Sequence, residues 1–304
     1  MSGHTNRREF IKTTGLLTAG TMLGISGSLW AEIPGNELPS IVVVKNGSPA
    51  ENTRKAVALL GGMGRFVKKG DTVVVKPNIG WDRKPEQAAN TTPEVVSETI
   101  KLCFESGADK VLVFDNTCNN PKRCYANSGI AEAAEDAGAI VSYMADAGYK
   151  EYDMPEATHL KKWAFYSLAM EADCIINVPI AKHHGIAELT LGMKNLMGVM
   201  GGMRGRIHWK IHQYLPEIAA FVKPELTIID ATRILKANGP QGGNLDDVER
   251  LDTIIASPHI GTADAYATDL FGKKPTDIGY IINGPEYGLG EIDIEKMNLR
   301  IETI

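Results

Sequence analysis

Cysteines are scarce in this sequence, and none of the four forms a CxxC pair. The spacings that hold iron–sulfur clusters or zinc ribbons are therefore absent. The chain also lacks internal repeats, low-complexity tracts and a convincing linker. Its 304 residues, 43% of them hydrophobic and 23% charged, are enough for a full core. We expect one compact domain and no iron–sulfur centre.

Positive charge is also in short supply. The net charge is −5, and residues 1–31 carry a net +2, which leaves −7 for the remainder. General nucleic-acid binding depends on Lys and Arg to neutralise phosphates. No interleaving of aromatic and basic residues offsets the deficit. The charge balance therefore excludes a general nucleic-acid-binding protein.

Long apolar runs are missing apart from a weakly apolar one near the N-terminus. Residues 13–31 carry no charge but contain four glycines and several Ser and Thr residues, which makes the run marginal as a membrane span. The preceding Arg7-Arg8-Glu9-Phe10-Ile11-Lys12 matches the twin-arginine export pattern. We expect residues 1–31 to be a twin-arginine signal segment, read by the twin-arginine translocase, and residues 32–304 to form a single α/β domain.

This export route bears on location and on chemistry. It would place the protein in the periplasm or on the outer face of the cytoplasmic membrane. Cleavage after Ala31 would put Leu29 at a position that favours small residues, so the segment could persist as a membrane attachment. Twin-arginine export moves folded proteins, often ones that already hold a cofactor, and this hints at a cofactor here.

The cysteines fall into two groups. Cys103 lies in a helical pattern and Cys174 in an apolar run, and both are expected in the core. Cys118 and Cys124 share one loop, and in an oxidising compartment they could form a disulfide or stay free. Their spacing leaves both alternatives open, because it does not test disulfide geometry.

Short β-branched runs alternate with helical patterns along most of the chain. Strands are predicted at 41–44, 72–76, 110–114, 139–143, 174–178, 225–230, 252–257 and 298–303, and helices at 51–67, 93–106, 128–137, 209–222 and 259–271. Residues 145–172 are less regular and are expected to form an excursion at the sheet edge. The alternation predicts an α/β fold with a single mostly parallel sheet and helices on both faces.

The richest stretch for chemistry runs from Asp173 to His212. It holds four of the seven histidines together with Lys182, Lys194, Arg204 and Arg206, and it contains only two acids. An acidic protein has thus placed an island of cations after a buried strand. We expect the functional site here.

Polar side chains also follow other predicted strands. In a parallel sheet, ligands bind at the carboxyl ends of the strands. The groups expected at that edge are Lys76 and Asn78, Asp115 and Asn116, Lys182 with His183 and His184, and Asp230. For Asp115 and Asn116, a role as turn formers or helix caps is the more usual one for residues after a strand. The convergence of separate segments predicts a ligand cleft.

The histidines have several interpretations. His208 and His212 are four residues apart on a predicted helix, so they could share one metal, although no acid of a His-Glu-x-x-His motif accompanies them. His183 and His184 are adjacent on an extended segment, and we expect only one of them to enter the site. The loop at 197–205 could be a lid that closes its arginines on an anion, or a mobile surface loop.

Taken together, these motifs resemble those of the large bacterial and archaeal family of unknown function DUF362. The resemblance rests on Lys76-Pro77-Asn78, Thr92-Pro93, Asn177-Val178-Pro179 followed by Lys182 and His184, Gly192-x-Lys194-Asn195, Gly198, His208, Ile229-Asp230, Gly239-Pro240, Ala263-Asp264 and Gly288-Leu289-Gly290. It implies an α/β fold. Many relatives carry ferredoxin-type cysteines, which are absent here, and His259 stands where many have an acid.

A weaker resemblance links the chain to the amino-terminal domain of nickel-pincer lactate racemases. His184, Lys194 and His208 have a similar order and spacing to a His, a cofactor-binding Lys and a second His in those enzymes. Met197 replaces the proline that racemases have before the following glycine. The resemblance implies a divalent metal or a nickel-type cofactor, with Lys194 in the place of the lysine that binds the pyridine-type cofactor.

We therefore predict an exported enzyme that binds a small anionic substrate or cofactor and carries out isomerase or redox chemistry. The predicted anion-binding residues are Lys76, Asn78, Lys182, Asn195 and Arg206; the predicted catalytic residues are His184, Lys194, His208 and Asp230, with His184 and His208 also as metal ligands. Asp230 would orient one of the catalytic groups. The alternative is a non-catalytic exported binding or assembly subunit of a periplasmic or membrane-associated complex.

Overall fold

The computed structural model describes residues 38–304, so the predicted twin-arginine segment lies outside the described residues. The strands are β1 (Ile41–Lys45), β2 (Thr72–Pro77), β3 (Lys110–Val113), β4 (Ile140–Val141), β5 (Tyr149–Asp153), β6 (Lys162–Tyr166), β7 (Cys174–Val178), β8 (Ile180–His184), β9 (Glu188–Thr190), β10 (Leu226–Leu235), β11 (Val248–Ser257) and β12 (Leu299–Thr303).

Helices separate most of these strands. They are α1 (Pro49–Leu59), α2 (Pro93–Glu105), α3 (Pro121–Asn127), α4 (Ile130–Asp136), α5 (Ser167–Glu171), α6 (Gly192–Asn195), α7 (Ile211–Val222), α8 (Ile260–Ala267) and α9 (Gly279–Ile282), with short 3₁₀ turns between them. None of the helices in residues 38–304 has the length and apolar character needed to cross a bilayer.

Ten strands form one sheet in the order β12-β1-β11-β10-β7-β2-β3-β4, with β8 beside β10 and β9 beside β8. Six of the nine pairings within this sheet are parallel; the antiparallel ones join β11 to β1, β11 to β10, and β9 to β8. The predicted α/β fold with a mostly parallel sheet is confirmed. The antiparallel part arises because β10 and β11 follow each other without an intervening helix.

Each central strand buries side chains on both faces of the sheet. In β1, Ile41 and Val43 pack into one apolar cluster and Val42 and Val44 into another. Helices α1 to α4 cover the second cluster, while α5 to α9 contribute to the first. Helices therefore lie on both faces of the sheet, as predicted, because the apolar side chains on each face must be shielded from water.

The strand directions bring separate chain segments to one edge. Strands β2, β3 and β7 are parallel neighbours, so their carboxyl ends lie side by side. Beyond Val178 the chain continues as β8, which takes over the pairing to β10 that β7 began. Lys182, His183 and His184 on β8 are thereby carried past the ends of β2 and β3.

Three local predictions differ from the structure. The irregular segment 145–172 contains an antiparallel hairpin, β5–β6, which forms a separate two-stranded sheet. The first helix ends at Leu59 instead of reaching residue 67, because Gly61 and Gly62 adopt positive φ. Helix α7 begins at Ile211 instead of Trp209, since residues 204–210 form a 3₁₀ helix.

Candidate functional site

A cavity of about 350 Å³ opens at the carboxyl edge of the sheet. Six of the nine residues predicted for the site line it: Asn78, Lys182, His184, Lys194, Asn195 and His208. They come from the end of β2, from β8, from α6 and from the 3₁₀ helix before α7. The expected convergence of distant segments is therefore present, while Lys76, Asp230 and Arg206 lie elsewhere.

Lys76 lies beneath the cavity and does not line it. Its side chain is fully buried, and Nζ pairs with Asp115 Oδ1 at 2.8 Å and donates to the Pro77 carbonyl at 2.7 Å. Burial lowers the pKa of Lys76, and the Asp115 carboxylate opposes that shift. The prediction that Lys76 holds the anion directly is corrected: its charge is already paired, and it positions Asp115.

The Asn195 amide ties the floor of the cavity together. Its Oδ1 accepts from Lys76 Nζ at 3.1 Å and from Asn78 Nδ2 at 3.0 Å, and its Nδ2 donates to Asn177 Oδ1 at 2.9 Å. These bonds connect α6 to the ends of β2 and β7. A buried amide with all these partners is rigid, so it holds the neighbouring residue, Lys194, in a defined place.

Asp264 on α8 anchors the other end of α6. Its carboxylate accepts from the backbone N–H groups of Gly192 at 2.6 Å and Met193 at 2.9 Å. Burial raises the pKa of Asp264 to about 7, against the lowering effect of these two bonds. A Cβ at Gly192 would meet Asp264 Oδ1 at 2.7 Å, which explains the glycine. Asp264 was not predicted as a site residue, yet it positions the helix that carries Lys194.

Two cations in the cavity have no carboxylate partner. Lys182 is 1% exposed and donates to Asn78 Oδ1 at 3.0 Å and to the Ala89 carbonyl. Lys194 is half-buried, and its Nζ has no hydrogen-bond acceptor or salt bridge within residues 38–304. Burial, reinforced by the charge of Lys194, lowers the pKa of Lys182 to about 7, and burial, reinforced by the charges of Arg204 and Lys76, lowers the pKa of Lys194 to about 8.

Arg204 supplies a third unpaired cation at the cavity wall. Its guanidinium donates to the carbonyls of Met197 at 3.3 Å and Thr117 at 3.1 Å. The predicted Arg206 instead lies outside the cavity, exposed and with its guanidinium 5.2 Å from the Trp209 ring centre. Of the described lining residues only Asp115 is acidic, and Lys76 neutralises it. The cavity is therefore positively charged.

The imidazoles of His184 and His208 stack with centroids 5.5 Å apart and an angle of 21° between their planes. His184 Nδ1 accepts from the backbone N–H groups of Ile186 and Ala187, both at 3.1 Å, which leaves the proton on Nε2. His208 Nδ1 faces the Gly205 carbonyl at 3.1 Å and must donate to it, which leaves the Nε2 lone pair free. The two rings are opposite tautomers, one a donor and the other an acceptor.

Both rings are neutral at neutral pH. Burial, followed by the charge of Lys194, lowers the pKa of His184 to about 3. The same two causes lower the pKa of His208, and its hydrogen bond to Gly205 opposes them. His184 can therefore donate a hydrogen bond to a bound anion without carrying charge, while His208 can accept a proton.

The two remaining histidines of the stretch lie outside the cavity. His183 Nδ1 accepts from the backbone N–H of Gly239 at 3.1 Å. A Cβ at position 239 would lie 2.0 Å from the His183 carbonyl oxygen, so the site requires glycine. Only His184 of the adjacent pair enters the cavity, as expected. His212 packs against Gly279. His208 and His212 do not share a helical face, because α7 begins between them.

Asp230 is completely buried in β10 and does not line the cavity. Its carboxylate accepts from the backbone N–H groups of Thr92 at 2.7 Å and Thr232 at 2.9 Å. It thus secures the start of α2 and the irregularity in β10 near Ala231. Burial raises the pKa of Asp230, and these bonds oppose the rise. The predicted orienting role toward a catalytic group is replaced by a structural one.

The histidine pair does not suit a shared metal. A metal at His184 Nε2 would require the ring proton to move to Nδ1, where two backbone N–H groups already point. His208 alone presents a free Nε2 with the usual backbone support. Within residues 38–304, no group of three or more His, Cys, Asp or Glu side chains could hold a metal ion. The arrangement therefore favours proton transfer and hydrogen bonding by these rings.

The cavity also contains groups that were not among the predicted site residues. The Thr190 hydroxyl is buried and has no hydrogen-bond partner, so it is available to a ligand. Cys118 lies at the wall with its Sγ 3.7 Å from the Arg204 guanidinium. Cys118 and Cys124 are free thiols, which decides the alternative left open for them. Asp115 also lines the cavity, although its position after a strand is more usual for a turn former.

Comparisons with known proteins identify the family. The chain matches the domain of unknown function DUF362 over residues 73–269. The thylakoid-associated protein sll1697 of Synechocystis sp. is 30% identical over 240 residues, which cover 76% of this chain and 73% of that protein.

Solved structures give a more distant likeness. The lactate racemase apoprotein of Thermoanaerobacterium thermosaccharolyticum has a TM-score of 0.42 and 12% identity, over 70% of this chain and 53% of that one. A structural-genomics protein from Thermotoga maritima has a TM-score of 0.40 and 11% identity, over 74% and 60%. The chain thus spans about half of the racemase and three fifths of the second protein. Structural likenesses of this extent say nothing of activity. The family match over residues 73–269, together with the thylakoid-associated relative, shows that the chain belongs to the DUF362 family.

Proposed function

We propose that the protein is an exported enzyme that binds a small organic anion in the cleft and transfers a proton to or from it, as in an isomerisation. The observation that carries the proposal is the charge of the cavity: Lys182, Lys194 and Arg204 line it without a carboxylate partner. Unpaired buried cations are unfavourable unless a ligand of opposite charge compensates them. An anion is that ligand.

The stacked histidines supply the proton-transfer groups. His208 Nε2 holds a free lone pair and would take a proton from the bound anion. Neutral His184 would donate a hydrogen bond from Nε2 to the oxygen on which negative charge develops. Lys194 would hold the carboxylate nearby, and Thr190 would contribute the partner-free hydroxyl. The bonds at both ends of α6 would keep the backbone of Lys194 in place during binding.

Export rests on separate grounds. The Arg7-Arg8 pattern supports the twin-arginine route to the periplasm or the outer membrane face, and the relative named for its thylakoid association supports a location near a membrane. Cell fractionation of the wild-type protein and of the Arg7→Lys/Arg8→Lys double variant tests this. If the protein is exported by this route, the double variant should stay in the cytosol while the wild type does not. Equal fractionation of the wild type and the variant would rule the route out.

The cleft can be tested with malonate as an anionic probe and with proton exchange as the readout. Wild-type protein should bind malonate, Lys194→Gln should lose that binding, and the folding of both should be the same by circular dichroism. His208→Asn should keep malonate but lose the catalysed exchange of C–H for C–D when a panel of small carboxylic acids is incubated in D₂O. If the wild-type protein binds no anion, the proposal is wrong. Binding without exchange by the wild-type protein would instead favour a non-catalytic binding subunit.

The protein purified from its exported compartment offers a second test. Intact mass would detect an adduct on a lysine and the mature N-terminus, and metal analysis would detect a bound ion. A ligand released on denaturation, and absent from Lys194→Gln, is the expected result.

A further inference from the structure

Three large apolar side chains are exposed within two residues of cavity-lining residues. Trp209, next to His208, is 75% exposed; Met203, next to Arg204, is 67% exposed; and Ile186, two residues after His184, is 60% exposed. We call these residues, together with the exposed cations Arg206 and Lys210, the rim. Exposed apolar residues that are scattered singly need no explanation, but three large ones beside one site do.

Contacts link most of the rim residues. Met203 directly precedes the 3₁₀ helix that carries Trp209, and its carbonyl accepts from Arg206 N at 2.9 Å. The Arg206 guanidinium lies 5.2 Å from the Trp209 ring centre. On the other side, Ile186 N donates to His184, whose ring stacks on His208, the residue before Trp209. These contacts connect Ile186 to Trp209 through the stacked histidines.

Charge distinguishes the rim from the rest of the protein. Residues 189–216 contain no Asp or Glu but include Lys194, Arg204, Arg206 and Lys210, whereas residues 38–304 as a whole carry a net −5. An anionic surface would repel a protein of net negative charge overall and attract a cationic face such as this one. Tryptophan beside Arg and Lys is the combination that settles at the interface between lipid headgroups and acyl chains.

We propose that the rim docks on the surface of a bilayer that contains anionic lipids, with Trp209, Met203 and Ile186 inserted among the headgroups. Docking would turn the mouth of the cleft toward the membrane surface. The contact is separate from any attachment through residues 1–31, and it does not rest on the chemistry proposed for the cleft. It predicts a lipid-binding activity that depends on particular folded-domain residues.

Vesicle flotation of the full-length protein tests this, with phosphatidylcholine vesicles made with and without phosphatidylglycerol. Trp209→Ser should weaken binding to the anionic vesicles roughly tenfold, because an apolar anchor is lost. Arg206→Gln/Lys210→Gln should weaken it by about fivefold for each cation removed, and added salt should have the same effect. Ile301→Ser, at an exposed apolar position on β12, and Lys69→Gln/Lys122→Gln, at exposed cations elsewhere, are the matched controls and should bind as the wild type does.

Three results would overturn the proposal. The first is equal binding to both kinds of vesicle. The second is rim variants that bind like the controls, which would assign all attachment to the segment before residue 38. The third is an absence of vesicle binding together with rim-dependent capture of a protein from solubilised membranes, which would make the rim a protein interface. The thermal unfolding temperature of each variant, compared with that of the wild type, shows that the rim residues and not misfolding decide the outcome.

Discussion

Gly198 lies directly against the carboxylate of Asp115. A Cβ at position 198 would be 1.8 Å from Asp115 Oδ1 and 2.4 Å from Lys76 Nζ, so no other residue fits beside this ion pair. The backbone N–H of Asn116 also donates to the Gly198 carbonyl at 2.9 Å, which fixes the approach. The floor of the cleft is thus built from a buried charge pair and the one residue small enough to lie on it.

Gly198→Ala should therefore disturb the cleft more than any ordinary glycine substitution. The added methyl group must displace the Lys76–Asp115 pair, and overpacking of this kind costs about 1–3 kcal/mol of the free energy of unfolding. Urea unfolding and malonate binding would measure both effects. Gly64→Ala is the control, because no atom lies within 4 Å of a Cβ there. Equal stability of the two variants would contradict the close packing.

Anion binding should weaken as pH rises. Lys182 and Lys194 have pKa values of about 7 and about 8 in the ligand-free protein, and only their protonated forms attract an anion. Affinity should be greatest below pH 7 and should fall by about tenfold or more between pH 7 and pH 9. Calorimetric titration with malonate, whose own charge is constant in this range, measures the profile. A flat profile would show that these amines are not the anion-binding groups.

The same lysines should make the ligand-free protein more stable at higher pH. Their pKa values lie below the ordinary 10.5, so above pH 7 the unfolded chain binds more protons than the folded one. The free energy of unfolding should thus rise from pH 7 to pH 9, by about 2 kcal/mol for Lys182 and about 1 kcal/mol for Lys194. Urea unfolding at the two pH values tests this, and Lys182→Met should remove its share of the slope. A decrease in stability with pH over this window would contradict the burial of these charges.

Asp230→Ala should damage stability and leave the chemistry of the cleft intact. Removal of the carboxylate leaves two buried N–H groups, those of Thr92 and Thr232, without an acceptor. Each costs about 1–3 kcal/mol of the free energy of unfolding. The folded fraction should bind malonate as the wild type does, and this can be measured below the unfolding temperature. A stable variant that has lost binding would restore the catalytic role predicted from the sequence.

Cys118 should be the only cysteine that reacts in the folded protein. The other three thiols are buried, and burial raises the pKa of Cys124 and Cys103, to about 12 for Cys103. One equivalent of iodoacetamide should add, as shown by intact mass and peptide mapping. The adduct should reduce malonate binding, since Cys118 lies at the cavity wall. Cys118→Ser should take up no label; labelling at Cys124 would mean that the loop opens.

Much of the site could be predicted because a parallel sheet makes an edge from sequence-distant strand ends. The chemistry-bearing stretch after β7 and the residues after β2 were located in this way, and Lys182, His184 and Lys194 do line one cavity. The predicted anion-binding arginine was the wrong one of two that lie close together in the sequence. Arg204 and Arg206 are equivalent in the sequence, and only the turn of the 3₁₀ helix decides which of them faces the cavity.

Sequence by itself determined the fold class, the family and the presence of a cationic site in an acidic protein. These follow from periodicity, composition and motif spacing, which are local properties of the chain. Only the tertiary structure decided that Lys76 pairs with Asp115 and that Asp230 binds the backbone N–H of Thr92, so that neither faces the ligand. It also decided that the rings of His184 and His208 are opposite tautomers. The reason is physical: a buried charge or ring nitrogen takes its role from the partner that it meets, and that partner comes from another part of the chain.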